Sequence, residues 1–222
     1  MTEHYEIPLF PLNTVLFPGM VLPLHIFEER YKIMIQQCLA ESRPFGVVLL
    51  KSGQAEGELG PVYEIGTTAE VKQVDRLPEG RMNIITVGLS RFRVLETHDL
   101  HPYLSGIVED LPLEQTGQSV EINTLAKRIS SILVDYLSLF KTLSKSNLEI
   151  ERLPDDPEAL GYLTAMVLPV SNYEKQQLLS IRDAHAMLEQ TYSLLRHEIQ
   201  ILDILANERP SEEDDVFSFS VN

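Results

Sequence analysis

Apolar and polar positions divide this chain into two parts with different periods. Up to about residue 112 the apolar residues come in short runs or alternate singly with polar ones, as in strands; beyond it they recur at spacings of three and four, as on a helix face. The densest apolar run stands at the head, Glu6 to Phe27 (EIPLFPLNTVLFPGMVLPLHIF), and it is interrupted by Pro8, Pro11, Pro18 and Pro23. Each proline removes a backbone donor and clashes with the preceding turn, so the run is not a helix. The same interruptions exclude the roughly 20 continuous helical residues of a membrane span. The residues ahead of it, MTEHYE, are acidic where a signal peptide is basic, and no small-residue cleavage site follows. What remains is a set of short buried extended pieces with a turn at Pro18-Gly19, the founding element of a β-rich core.

After this run, Tyr31, Met34, Ile35, Cys38 and Leu39 form one apolar face of a helix over 28–42. Strands are predicted at Pro44–Leu50, Gly66–Val74, Met82–Val87, Arg91–Glu96 and Tyr103–Glu109, the third and fourth joined near Gly88. Gly-rich or Pro-containing turns, KSGQAEGELG and DRLPEGR, separate the earlier ones. Six or so short strands with one early helix predict a small closed or half-closed barrel. The pattern changes over Leu111–Gly117. From Ser119 to Leu143 the seam Ile122, Leu125, Ile129, Ile132, Tyr136, Leu139, Leu143 is helical, and Leu133, Leu137 and Phe140 widen it to a face that suits a bundle. Asp155-Asp156-Pro157 starts a helix that stops before Pro169, and Ser171 with Glu174 forms a capping box for the next. From Leu178 to Leu202 a heptad runs through Ile181, His185, Leu188, Tyr192, Leu195 and Ile199. Either one long helix or a break with a new cap at Asp183 satisfies it. The organisation expected is therefore 1–112, 113–206 and an acidic, disordered tail over 207–222. In that tail Val216, Phe217, Phe219 and Val221 form a short alternating piece able to add to a sheet edge.

Composition narrows the chemistry. The formal net charge is −15, with acids in excess in all three parts, which disfavours nucleic-acid backbones as partners. One cysteine excludes an internal disulfide, and no histidine pair has metal-ligand spacing. Cys38 lies on an apolar face and reads as a small buried hydrophobe; His185 reads as a hydrogen-bonded structural side chain. Asp155 and Asp156 serve as helix caps, Glu28 and Glu29 open a helix, and no G-x-S-x-G or G-x-x-x-x-G-K-[ST] occurs. No catalytic residue, cofactor or metal is expected, and the cytosol is the expected compartment.

The segments PLFPLNTVLFPGMVLPLHIFEERY (Pro8–Tyr31), PFGVV (Pro44–Val48), GTTAEV (Gly66–Val71), GLSRFRV (Gly88–Val94) and PYLSGIV (Pro102–Val108) resemble the N-terminal substrate-binding domain of Lon proteases, a domain also found free-standing and within cereblon. LPVSNYEKQQLLSIRDAHAMLE (Leu168–Glu189) is similar to the helical part of that family and favours the break at Asp183. The resemblance implies an α+β fold, a PUA-like β-barrel followed by an α-helical bundle. It implies a non-catalytic, free-standing module without the ATPase and Ser-Lys protease modules of full Lon proteases, binding unfolded polypeptide clients or a quality-control partner through apolar surface. The residues around the Pro18-Gly19 turn, Phe17, Met20 and Leu22, are the expected exposed contacts. The competing reading, an RNA-binding PUA-like module, would use Arg91 and Arg93, which flank Phe92 and share one strand face. No membrane contact is expected.

Overall fold

The computed structural model describes residues 4–52, 60–116, 118–144 and 152–207, so the alternating piece at Val216–Val221 lies outside the described residues. The proline-broken opening run becomes two strands and a connection: β1 (His4–Leu12) and β2 (Val21–Ile26). β1 changes partner midway. His4–Pro8 pairs antiparallel with β6 (Ser105–Asp110), and Leu9–Leu12 pairs parallel with β3 (Phe45–Leu49). Pro8 closes the first pairing, a position where a missing donor costs least. Between β2 and β3 lies α1 (Glu29–Glu41), whose predicted face is buried at Tyr31, Met34, Ile35 and Cys38. β4 (Ile65–Arg76) and β5 (Met82–His98) follow, joined by a short turn at Pro78–Gly80.

The six strands run in the order β2-β5-β4-β3-β1-β6, and β6 also pairs with β5, so the ladder from β5 through β4, β3, β1 and β6 returns to β5. β2 pairs with β5 alone among the described strands and leaves its other edge open. Met82–Val87 and Arg91–Glu96, expected as two strands, are one 17-residue strand. Gly88 does not end it. Instead the Pro18-Gly19 turn closes over it, with Gly19 N–H donating to Gly88 O at 2.8 Å and Gly88 N–H to Met20 O at 2.9 Å. A Cβ at Gly88 would lie 2.3 Å from Phe17 O, so glycine is there for close backbone approach.

The rest is helical: α2 (Ser119–Ser144), α3 (Pro157–Val167), α4 (Asn172–Ser180) and α5 (Ala184–Asn207). The molecule is thus a mixed α+β fold of six strands and five α-helices among the described residues. The Asp156 side chain accepts from Ala159 N–H at 2.8 Å with Pro157 at the first helical position, and Ser171 and Glu174 form a complete capping box. The chain does break before α5. Asp183 Oδ1 accepts from Ala186 N–H at 2.8 Å, and its other oxygen takes the Thr116 hydroxyl, which ties the segment after β6 to the start of α5. One apolar cluster lies between α1 and the strands, around Phe10, Met34, Ile35, Phe45 and Ile84. A second, in the helical part, draws in Val15, Phe17 and Leu49 from the strand part. The two parts therefore share a core at the opening run.

Candidate functional site

The turn that follows β1 was expected to expose Phe17. The structure corrects this: Phe17 is completely buried, its ring centroid 5.9 Å from that of Tyr162 on α3. With Val15 it fastens the opening run to the helices. Met20 and Leu22 are half-buried. The exposed apolar residues lie one position away. Along β2 burial alternates, with Val21, Pro23 and His25 outward and Leu22, Leu24 and Ile26 inward. Since the strand period is two, Leu22 lies on the inward face and Val21 on the outward one. The alternation around Pro23 was visible in sequence; which face meets α1 was not.

The outward residues join into a strip. Val21 stands opposite Val87 and Pro23 opposite Ile85, so these four share a face across two strands. Val21 is 58% exposed, Ile85 36%, Leu89 43% and Phe27 45%. Phe27 stacks on His25, which is hydrogen-bonded through Nδ1 to Asn83 Oδ1 at 2.7 Å. Apolar residues this concentrated beside an open strand edge mark an interaction surface more often than chance exposure does.

Beyond Leu89 the strip opens into a cleft of about 320 Å³ between the strand part and the first turn of α3, lined by Pro18, Leu89, Arg91, Asp110, Leu113 and Glu158 among others. Arg91, expected on the surface, is 3% exposed. Its Nη1 donates to Leu179 O at 2.7 Å and Ile181 O at 2.5 Å, carbonyls at the end of α4. A cation there meets the negative end of the helix dipole and caps carbonyls that α4 leaves open. Burial pushes the guanidinium's pKa down from its usual value, while Tyr162 and Glu158 nearby oppose that shift. Arg93 is engaged with Glu109, its Nε donating to Oε1 at 2.6 Å. The two arginines are thus a strut and an ion pair. They do not form an open basic face, which removes the structural basis of the RNA reading.

The remaining candidates fall into structural roles. Cys38 is buried, and that burial raises its thiol to about 11. His185 is half-buried with Nδ1 3.7 Å from Glu189 Oε2. Among the described residues no group of three or more His, Cys, Asp or Glu is placed to hold a metal ion, and no helix is long and apolar enough to cross a membrane.

The family model for the ATP-dependent protease La (LON) substrate-binding domain matches residues 6–197. Among curated relatives, a Lon protease of Anaeromyxobacter dehalogenans is 28% identical over 200 residues, which is 89% of this chain and 24% of that protein. The Escherichia coli Lon protease is 26% identical over 208 residues, 91% of this chain and 26% of that protein. The chain thus spans about a quarter of the length of these relatives. Among solved structures, a Lon N-terminal domain protein from Xanthomonas campestris superposes with a TM-score of 0.63 at 26% identity, covering 85% of this chain and 98% of that one. The N-terminal domain of a Mycobacterium avium complex Lon protease has the same fold, with a TM-score of 0.65 at 20% identity over 86% of this chain and 98% of that one.

Proposed function

This chain belongs to the Lon substrate-binding-domain family, and from that premise we propose that it is a non-catalytic module that binds unfolded or damaged polypeptide. The observation that carries the reading is the exposed apolar strip of Val21, Pro23, Ile85 and Leu89 next to the open edge of β2. Folded surfaces bury such residues, and unfolded chains display them, so pairing the two removes apolar area from water at about 25 cal/mol per Å². Met20 and Leu22 are half-buried and pack inward against the apolar clusters.

Pro23 shapes the mode of binding. β2 is an edge strand, and a proline at its centre lacks the donor that strand addition would use. Side-chain contact with the face of β2 and β5 is therefore favoured over a seventh strand. Affinity of this kind is modest and tolerant of sequence. The description of the strand part, residues 1–112, as a PUA-like barrel and of residues 113–206 as a helical bundle belongs to the same proposal. It is supported by the ladder that returns to β5 and by the cluster that α2, α3 and α5 build together.

Fluorescence anisotropy of a labelled, reduced and carboxymethylated protein, which cannot refold, tests the reading. Wild type should bind it and ignore the native, disulfide-intact form. A Val21→Asp/Ile85→Asp double variant, changed only at exposed positions, should bind at least tenfold more weakly. Equal binding by wild type and variant would sink the proposal.

A further inference from the structure

We infer that residues 216–221 of this chain dock on the far end of α5, beside the end of α2. This second apolar surface is separate from the strip and independent of the polypeptide-binding reading. α2 and α5 leave the strand part together: Ala184 N–H, at the start of α5, donates to the O of Glu114, in the segment that leads into α2, at 2.9 Å. They then run side by side, and Arg128 Nη2 donates to the Tyr192 hydroxyl at 2.9 Å. α3 packs on the first part of α5, where Gly161 meets Met187 and Leu188. The last buried residues are Tyr136 on α2 and Leu195 on α5, so 137–144 and 196–207 lie beyond the fully covered core.

The end of α5 is nevertheless apolar on every side. Ile199 and Leu202 turn toward the helical cluster, whereas Ile201, Ile204 and Leu205 are 39%, 58% and 49% exposed. A helix that is apolar all round is ordinarily a covered one. The chain itself carries a matching cover. Val216, Phe217, Phe219 and Val221 follow α5 after the polar stretch 208–215. An extended backbone puts Phe217, Phe219 and Val221 on one side at a repeat of about 6.7 Å. Ile201 and Leu205, one helical turn apart, repeat at about 6 Å. The eight residues 208–215 span up to about 26–29 Å, and Ile201 lies only about 9 Å back along the helix from Asn207, so the segment reaches the whole surface within its own chain. A second copy is the poorer occupant. The chain carries a net charge of −15, and 208–215 holds five acids against one base, so pairing two such helix ends brings like charges together. The open edge of β2 is also the poorer seat, because Pro23 offers no donor there.

Isoleucine δ1-methyl NMR spectra of the full chain test the docking. In the wild type the rings of Phe217 and Phe219 should move the Ile201 and Ile204 methyl signals upfield. Phe217→Ser/Phe219→Ser, which changes no residue of the described fold, should abolish that shift and leave the buried Ile84 and Ile129 signals unmoved. Sedimentation velocity should give one concentration-independent monomer mass for both proteins. Ile201 and Ile204 signals indifferent to the double variant would overturn the inference. A wild-type dimer that the variant loses would overturn it as well, since the segment then sits on a second copy. Signals that respond to Leu148→Ser/Ile150→Ser and not to the phenylalanine changes would assign the surface to 145–151 instead.

Discussion

Replacing Arg91 by methionine separates the two readings of the RFR triplet. The change removes two charge-assisted hydrogen bonds, to Leu179 O and Ile181 O. Each such bond contributes about 1.5–3 kcal/mol, so their loss costs roughly 3–6 kcal/mol. Against it stands relief of a desolvated guanidinium whose Nη2 lacks a partner, on the order of 1–3 kcal/mol, with methionine retaining most of the packing. The balance is a destabilisation of roughly 0–5 kcal/mol, centred near 2.5 kcal/mol. Arg93→Met, by contrast, removes an ion pair whose arginine side chain is 40% exposed. Its partner Glu109 is only 11% exposed, so losing the pair leaves a buried carboxylate and costs more than the roughly 1 kcal/mol of a surface pair. Because the chain has no tryptophan, urea unfolding is followed by far-UV circular dichroism, which reads the five helices. A lower midpoint at unchanged slope is expected for Arg91→Met, and for Arg93→Met a shift that Glu109→Gln in the same chain largely restores. Equal midpoints for wild type and Arg91→Met would refute the strut. Intact folding in both variants with lost RNA binding would restore the competing reading.

Gly88→Ala should destabilise by on the order of 1–3 kcal/mol or more, since its Cβ would press on the Phe17 backbone at 2.3 Å; a wild-type urea midpoint would contradict the closure of the turn over β5. The Asp183 carboxyl is held below its usual value by the Thr116 hydroxyl and the Ala186 amide, and Glu174 by Ser171. A folded pKa below the unfolded one means that the stabilisation is present above the unfolded value and lost as pH falls through the folded one. Urea midpoints between pH 5 and pH 3 should therefore fall more steeply for wild type than for Asp183→Asn/Glu174→Gln, by a small margin because both groups face solvent; parallel curves would exclude these two groups as the cause. Cys38, with its thiol raised to about 11 by burial, should resist a disulfide reagent at pH 8 in the native protein and react fully in urea. Rapid native labelling would show that α1 opens.

Local chemistry explains what could be read from the chain alone. The caps at Asp156 and Ser171 are bonds within three residues, so their sequence neighbourhood is sufficient, whereas at Asp183 the heptad pattern allowed an unbroken helix as well. The face of α1 follows from a period of 3.6, and its side toward the core is the only apolar one. The opening run is different. Its prolines exclude a helix, yet both parities of β2 are apolar, so the alternation has no sign until a partner covers one side.

That sign is tertiary. Leu22, Leu24 and Ile26 pack into the cluster that α1 closes with Tyr31, Met34, Ile35 and Cys38, which leaves Val21 and Pro23 for the surface. Phe17 is buried because α3 places Tyr162 against it, across about 145 residues of sequence. Arg91 is buried because the end of α4 offers it carbonyls from 88 and 90 positions away. The sequence by itself determined the periods and the caps at Asp156 and Ser171, since these depend on backbone sterics and near neighbours. Only the tertiary structure decided which apolar residues remain outside and which arginine is a strut, because burial is a property of what packs against a residue.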